Sequence, residues 1–325
     1  MLGTWNFVLG TYTISERINS FNPVNQFNGY MTVLEVIQRS TKFLAKKGVD
    51  SPRLQTELLL AHLLKLPRMQ LYLNFERALS PVELDSLRDL VKRRGQREPL
   101  QHIVGSTSFC GLEIAVNRHV LIPRPETELL AELGWKFLSE LSTLNSRLST
   151  ALDLGTGSGC LAIALAFHCP STEVYATDVS PAALEVARQN ATRHRLADRI
   201  QFSQGDGFAA LPPRTRLDLI ISNPPYVPTA EIETLQPEVS AYDPLPALNG
   251  GPDGLDFFRR LAAEAGPFLN PGGKIMLEFG DGQAESLRQI VLQQNWIVEA
   301  IQDDYTPRPR ILIAKRQNST TDAHG

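Results

Sequence analysis

The chain has 325 residues, 42% of them hydrophobic and 21% charged, with a formal net charge of -3. That is enough apolar material for one sizeable core and a smaller second one, and it lacks the broad basic excess with which a protein wraps naked nucleic acid, although a local patch can hide inside a neutral total. The three cysteines, Cys110, Cys160 and Cys169, are too few and too irregularly spaced for a disulfide framework or a metal pair, which points to a reducing compartment, the cytoplasm.

Residues 1–30 are rich in Asn, Ser, Thr and Phe and lack the basic start and apolar run of a secretory signal. They are expected to be a loose extension, with Met31 as an alternative initiator. No segment is long and apolar enough to span a bilayer. Residues 31–98 read as a small helical domain. Val33, Ile37 and Leu44 recur at helical spacing, Ser51-Pro52 reads as a cap with proline at the first helical position, and Ser80 with Glu83 forms a capping-box pattern. The run Lys92-Arg93-Arg94 reads as a solvated helix end. Residues 99–122 read as a connecting β-hairpin, because Phe109, Leu112, Ile114, Val116 and Val120 are interleaved with polar residues around Gly111. Ile122-Pro-Arg-Pro-Glu-Thr-Glu128 is a rigid turn leading into a helix through Leu138, followed by a polar connection from Ser142 to Thr150.

Residues 123–316 read as a catalytic domain in which strands and helices alternate: strands at 151–154, 173–178, 200–203, 217–222 and 274–279, with helices at 160–167, 181–195, 254–268 and 283–294. Ser180 is expected to cap the second of these helices. Two closing strands, 296–302 and 310–315, lack a long crossover and should run antiparallel. The fold class is therefore α/β: a Rossmann-like, mostly parallel sheet with helices on both faces and an antiparallel edge, whose ligands bind at the C-terminal strand ends. Residues 317–325 are a polar tail.

The loop Asp153-Leu-Gly-Thr-Gly-Ser-Gly159 follows the first strand of this sheet. A dinucleotide loop is G-x-G-x-x-G, with pyrophosphate on the helix N-terminus. Here Gly155, Gly157 and Gly159 are spaced G-x-G-x-G, with an acid just before them. A carboxylate at Asp153 repels phosphate and favours a cationic ligand, and S-adenosylmethionine has a sulfonium, an ammonium and no phosphate. Asp178 closes the second strand, where an acid hydrogen-bonds ribose hydroxyls. Asp206 and Gly207 follow the third strand, where residues can bracket an adenine. Taken singly, Asp178 could cap a helix and Asp206 could make a turn. Acids at three successive strands beside a glycine loop are what make a cofactor site of Asp153, Gly155, Thr156, Gly157, Ser158, Gly159, Asp178, Asp206 and Gly207.

The strand at 217–222 ends in Asn223-Pro-Pro-Tyr226. A planar –NH2 of an amide or adenine is a poor nucleophile because its lone pair is delocalised. The Asn223 side-chain oxygen and the Pro224 carbonyl, held rigid by Pro225, can accept its two N–H bonds and turn the nitrogen towards tetrahedral. Tyr226 offers a face for stacking. This is catalysis by positioning and electrostatics, and it makes Asn223, Pro224 and Tyr226 the catalytic candidates, with no metal.

With these motifs the sequence resembles the HemK/PrmC peptide chain release factor glutamine methyltransferases, from about Met31 to Arg316. Further carriers of the resemblance are Ser51-Pro-Arg, Arg97-Glu-Pro-Leu-Gln-His-Ile-Val-Gly105, the Pro-Arg-Pro-Glu-Thr-Glu turn and Gly250-Gly-Pro-Asp-Gly-Leu255. The resemblance implies a class I S-adenosylmethionine-dependent methyltransferase sheet and methylation of the glutamine in the Gly-Gly-Gln loop of class 1 release factors, the partner proteins. It implies a cofactor held by Gly155 to Gly159, Asp178 and Gly207, with Asn223 touching cofactor and acceptor and Pro224, Pro225 and Tyr226 touching the acceptor glutamine. The N-terminal helices would help grip the release factor. Two departures are Asp243-Pro244, where the family has Glu-Pro, and the small Gly207, where a large side chain can lie against the adenine. Three other readings stay open: glutamine methylation of a ribosomal protein, adenine methylation of nucleic acid, and a cofactor-binding scaffold without activity. The charge balance counts against nucleic acid, and the intact tetrapeptide counts against the scaffold.

Overall fold

The structure, a computed structural model, describes residues 30–144 and 148–317. The expected extension up to residue 29, the tail beyond 317 and the middle of the 142–150 connection lie outside the described residues. The chain divides into two compact units, residues 1–92 and 93–325.

In the first unit β1 (Met31–Thr32) pairs antiparallel with β2 (Ala78–Leu79), beside helices α1 (Val33–Lys46), α2 (Pro52–Leu64), α3 (Arg68–Leu73) and α4 (Pro81–Gly95). α1 opens on a capping box between Thr32 and Glu35, and α4 opens on the expected one: the Glu83 amide donates to Ser80 Oγ and the Ser80 amide to Glu83 Oε2. Ser51 departs from expectation. It sits at φ 46 with no side-chain capping bond, so Pro52 alone marks the start of α2. Val33, Val36, Ile37 and Leu44 are buried along α1, as are Leu59 and Leu60 of α2 and Leu71 of α3.

The second unit contains α5 (Leu100–Val104), β3 (Ser106–Phe109), β4 (Leu112–Ala115), α6 (Pro125–Leu144), β5 (Ser149–Leu154), α7 (Cys160–His168), β6 (Thr172–Asp178), α8 (Pro181–Arg193), β7 (Ile200–Gln204), β8 (Leu217–Ser222), α9 (Pro237–Ser240), α10 (Leu245–Leu248), α11 (Asp256–Glu264), β9 (Leu269–Glu278), α12 (Ala284–Gln293), β10 (Trp296–Asp303) and β11 (Pro309–Arg316). The seven-stranded sheet runs in the order β10-β11-β9-β8-β5-β6-β7. β5 to β9 pair in parallel, and β11 is antiparallel to both β9 and β10. The antiparallel strand is thus inserted one place in from the edge, and β10 at the rim runs in the common direction.

Period-two alternation divides the interior into two cores. Ala151, Leu219, Ile221, Met276 and Ile311 join Leu130 and Leu138 of α6 and the apolar residues of α7 and α8. Their neighbours Leu152, Ile220, Ile275, Leu277 and Leu312 join Phe258 and Leu261 of α11 and Leu287 and Val291 of α12. Strands buried on both faces read as continuous apolar runs, which is why 217–222 was legible as a strand. Ser180 caps α8 as expected, accepting from the Ala183 amide.

Two expectations are corrected here. The hairpin is shorter than 99–122: it is β3 and β4 only, turning through Cys110 (φ 50) and Gly111 (φ 76), the two positive φ values of a tight two-residue turn. Leu100–Val104 is a helix, and 116–122 is a loop that buries Val116, Val120 and Ile122 in the first core. At the end of α4 Lys92 is exposed and Arg93 partly so, but Arg94 is not. Arg94 is buried and its guanidinium meets Glu238 at 2.6 Å, while Arg93 pairs with Glu98 at 2.6 Å.

Candidate active site

A cavity of about 520 Å³ opens at the C-terminal ends of β5, β6, β7 and β8, where an open α/β sheet binds its ligands. It is lined by Gly155, Thr156, Gly157, Ser158, Asp178, Asp206 and Gly207, and also by Asn223, Pro224 and Pro225. The structure therefore gathers the glycine loop and the start of the tetrapeptide round one space. Asp153, Gly159 and Tyr226 do not line it.

Gly155 (φ 76) and Gly157 (φ 55) would project a Cβ into open space with nothing within 4 Å. The loop thus leaves room for a ligand against its backbone. Gly159 differs, since a Cβ there would stand 3.0 Å from Ala187 Cβ; this glycine lets the loop pack on α8. The amides of Gly155 and Thr156 both bond the Thr177 carbonyl at 2.9 Å.

Asp153 lies beneath the loop. One oxygen, Oδ2, accepts from Thr156 Oγ1 at 2.6 Å and from the Ala162 amide at 3.0 Å. Burial pushes its carboxyl up to about 7, against those two hydrogen bonds. The other oxygen, Oδ1, is buried with no hydrogen-bond partner among the described residues. Asp178 braces the loop as well: it accepts from the Gly157 amide at 2.9 Å and the Ser180 amide at 2.8 Å. A carboxylate has lone pairs beyond those two, so Asp178 can still receive ribose hydroxyls.

Asp206 pairs with Arg260 of α11 at 2.5 Å, and a Cβ at Gly207 would stand 2.7 Å from an Arg260 guanidinium nitrogen. The side chain missing at 207 is thus replaced in space by an arginine from another element. Asp243, the other departure, is buried and reaches Arg124 at 2.6 Å. It ties the Pro-Arg-Pro turn to the start of α10, where Pro244, Pro246 and Ala247 line the cavity. Burial pushes its carboxyl up to about 6 despite the arginine.

β8 is pinned to β5 by Ser222 Oγ, which donates to the Leu154 carbonyl at 2.6 Å, so Asn223 emerges beside the glycine loop. Its Nδ2 donates to Thr127 Oγ1 at 3.0 Å, and Thr127 Oγ1 donates to Glu278 Oε2 at 2.7 Å. With its nitrogen engaged, Asn223 has Oδ1 left as the acceptor. Beyond it the chain is held by Val227, which bonds Leu248 and Gly250 at 2.9 Å each, and by Gln283 Nε2, which donates to the Tyr226 carbonyl at 2.9 Å. The Tyr226 ring packs against the second core, and burial, then the nearby Glu278, push its phenol up to about 12. A second recess of about 340 Å³ adjoins at Pro225 and Phe257 and is lined by Asn249, Gly250, Gly251 and Arg260, which gives the Gly250-Gly-Pro-Asp-Gly motif a place.

Sequence reasoning missed Thr127, Phe257 and Ala247 as lining residues and Glu278 as the partner of Thr127. Thr127 lay inside a motif already singled out. Phe257 and Ala247 carried no local signal.

Residues 35–105 match the family described as the PrmC N-terminal domain, and residues 134–236 match the methyltransferase small domain. The chain is 46% identical to a release factor glutamine methyltransferase of Geobacter sulfurreducens, covering 79% of this chain and 87% of that one. It is 41% identical to a release factor glutamine methyltransferase of Chlorobaculum tepidum, covering 84% and 93%. Among solved structures, a methyltransferase from Pyrococcus furiosus matches with a TM-score of 0.47 at 22% identity, covering 69% of this chain and 97% of that one.

Proposed function

The chain belongs to the release factor glutamine methyltransferases, and on that premise we propose that Asn223 and the Pro224 carbonyl hold the acceptor glutamine amide of a class 1 release factor, in its Gly-Gly-Gln loop, while its nitrogen is methylated. S-adenosylmethionine supplies the electrophilic methyl group. The observation that carries the reading is the single cavity shared by Gly155, Gly157, Asp178, Asn223 and Pro224, which suits a donor and an acceptor bound side by side.

Asn223 Oδ1 and the Pro224 carbonyl accept the two amide N–H bonds, which frees the nitrogen lone pair from its planar conjugation. Both acceptors are fixed before the acceptor arrives, so little reorganisation is needed as charge develops. The proton leaves after transfer, once the nitrogen is cationic and acidic, and no strong base is required at the start. Asp153 and Asp178 brace the glycine loop from either side, and Asp178, which lines the cavity, keeps lone pairs for the ribose hydroxyls of the donor. Tyr226 contributes through its backbone and through the packing of its ring beside Pro225.

The reading takes the cytoplasm as the compartment and a release factor as the protein partner, with no nucleic acid substrate. The free thiols of Cys110, Cys160 and Cys169 suit a reducing environment. Among the described residues no helix is long and apolar enough to cross a membrane.

The test is radiolabelled methyl transfer to an unmodified release factor beside its Gly-Gly-Ala variant, with ribosomal proteins, RNA and DNA as parallel acceptors. Label on the first and none on the second is the expected result. Label confined to ribosomal protein or nucleic acid would overturn the substrate assignment.

A further inference from the structure

Thr127 stands in the first turn of α6 and Glu278 ends β9, so neither belongs to the tetrapeptide or the glycine loop. Both are buried, and one hydroxyl joins them to Asn223: Oγ1 is 2.7 Å from Glu278 Oε2 and 3.0 Å from Asn223 Nδ2. A threonine hydroxyl has one hydrogen to give. When it goes to the Glu278 carboxylate, the Asn223 group beside Thr127 must be a donor. The amide then turns its nitrogen inward and its oxygen to the cavity. The reverse polarity needs a protonated Glu278 that donates to Thr127, which in turn donates to the Asn223 oxygen. The amide would then present N–H groups to an acceptor that also offers N–H groups, and the contact would be repulsive.

We propose that Thr127 and Glu278 are positioning residues for the reaction, setting through one shared hydroxyl which end of the Asn223 amide faces the acceptor nitrogen. The inference rests on the reading that Asn223 receives the acceptor amide. The groups facing Glu278 are Arg124 and Glu126 before and within α6, Arg310 on β11 and the Tyr226 phenol. Neither arginine lies within ion-pair distance of it among the described residues, and burial pushes its carboxyl up to about 7. Both polarities of the chain are therefore reachable near neutral pH, and the productive one is the ionised form.

The experiment compares kcat, KM and melting temperature on an unmodified release factor for wild type, Thr127→Val, Thr127→Ser, Glu278→Gln, Asn223→Ala and the Thr127→Val/Asn223→Ala double variant. Affinity for S-adenosylhomocysteine is measured by calorimetry on each. Thr127→Val is expected to lower kcat by up to about 10²-fold, the scale of a misplaced catalytic group, with S-adenosylhomocysteine affinity changed far less than kcat. Thr127→Ser, which keeps the hydroxyl, should recover most of the loss. Adding Thr127→Val to Asn223→Ala should cost nothing further, since the hydroxyl acts only through that amide. Wild-type kcat should fall as pH drops through about 7, and Glu278→Gln should abolish that limb. Wild-type turnover in Thr127→Val, no rescue by Thr127→Ser, or an equal loss in the Asn223→Ala background would each overturn the proposal. An Asn223→Ala enzyme with wild-type turnover would instead overturn the reading of Asn223 itself, and the proposal with it. If Thr127→Val melts below the assay temperature, the serine variant and the Glu278→Gln pH profile decide alone.

Discussion

The side-chain amide of Asn190, in the last turn of α8, bonds the backbone of Ala115 at the end of β4 in both directions: the Ala115 amide donates to Oδ1 at 2.8 Å, and Nδ2 donates to the Ala115 carbonyl at 3.0 Å. The second Nδ2 hydrogen goes to the Ser158 carbonyl at 2.9 Å. One fully buried amide therefore fastens the hairpin and the glycine loop to the same helix. A two-stranded hairpin has little stability of its own, so a partner that imitates a third strand is needed to hold it.

Asn190→Ala is expected to destabilise the protein by about 3 kcal/mol, because it strands buried backbone groups rather than merely removing bonds. It should also weaken S-adenosylhomocysteine binding, since Ser158 lines the cavity. Urea unfolding and calorimetry check both. Stability within experimental error of wild type would show that Asn190 does not anchor the hairpin.

The glycines of the loop should separate by role. Gly155→Ala meets nothing within 4 Å, so its cost in stability is the positive-φ strain of about 1 kcal/mol, while its new methyl group occupies ligand space and lowers cofactor affinity. Gly159→Ala meets Ala187 at 3.0 Å and should lower the melting temperature more. Equal losses of stability in the two variants would contradict this division.

Glu278 also links stability to pH in the cofactor-free protein. Its carboxyl is pushed from an ordinary 4.5 up to about 7 by burial, so the folded state holds the proton more tightly than the unfolded chain. The contribution is fully present below pH 4.5 and is lost as pH rises through about 7. Its size is on the order of 3 kcal/mol. Glu278→Gln removes it, so the stability difference between the variant and wild type should grow in the variant's favour from pH 5 to pH 8. Parallel curves across that range would place the Glu278 proton elsewhere.

Asn223→Ala should lower turnover by about 10²–10³-fold, the usual loss for one oriented polar contact to the reacting group. The fold and most cofactor affinity should be kept, because the bond from Asn223 to Thr127 is one contact among many at the cavity wall. Turnover and calorimetry on the same preparation check it; substantial residual turnover would remove Asn223 from its role.

Much of the sheet was legible because its residues answer to local rules. The apolar run at 217–222 gave β8 with both ends in place, and the Ser80–Glu83 pattern gave the cap of α4. The failures share a cause. Leu100–Val104 is too short for its periodicity to speak, and Phe109 to Val120 looked like one alternating strand pair because a loop that buries Val116 and Val120 has the same pattern as a strand. Arg94 looked solvated because nothing near it in sequence announces Glu238, which comes from α9, far along the chain.

What the sequence determined by itself was the chemistry of short segments: the glycine spacing that excludes a pyrophosphate loop, the acids at successive strand ends, and two prolines that stiffen the backbone after Asn223. Each follows from bonding within a few residues. Only the tertiary structure decided which way these groups face. It put Asp153 beneath the loop instead of in the cavity, filled the space over Gly207 with Arg260, drew Tyr226 towards the core, and set Thr127 between Asn223 and Glu278. Those outcomes depend on hydrogen bonds and packing between segments far apart in the chain. The burial that fixes them exists only once the sheet has formed.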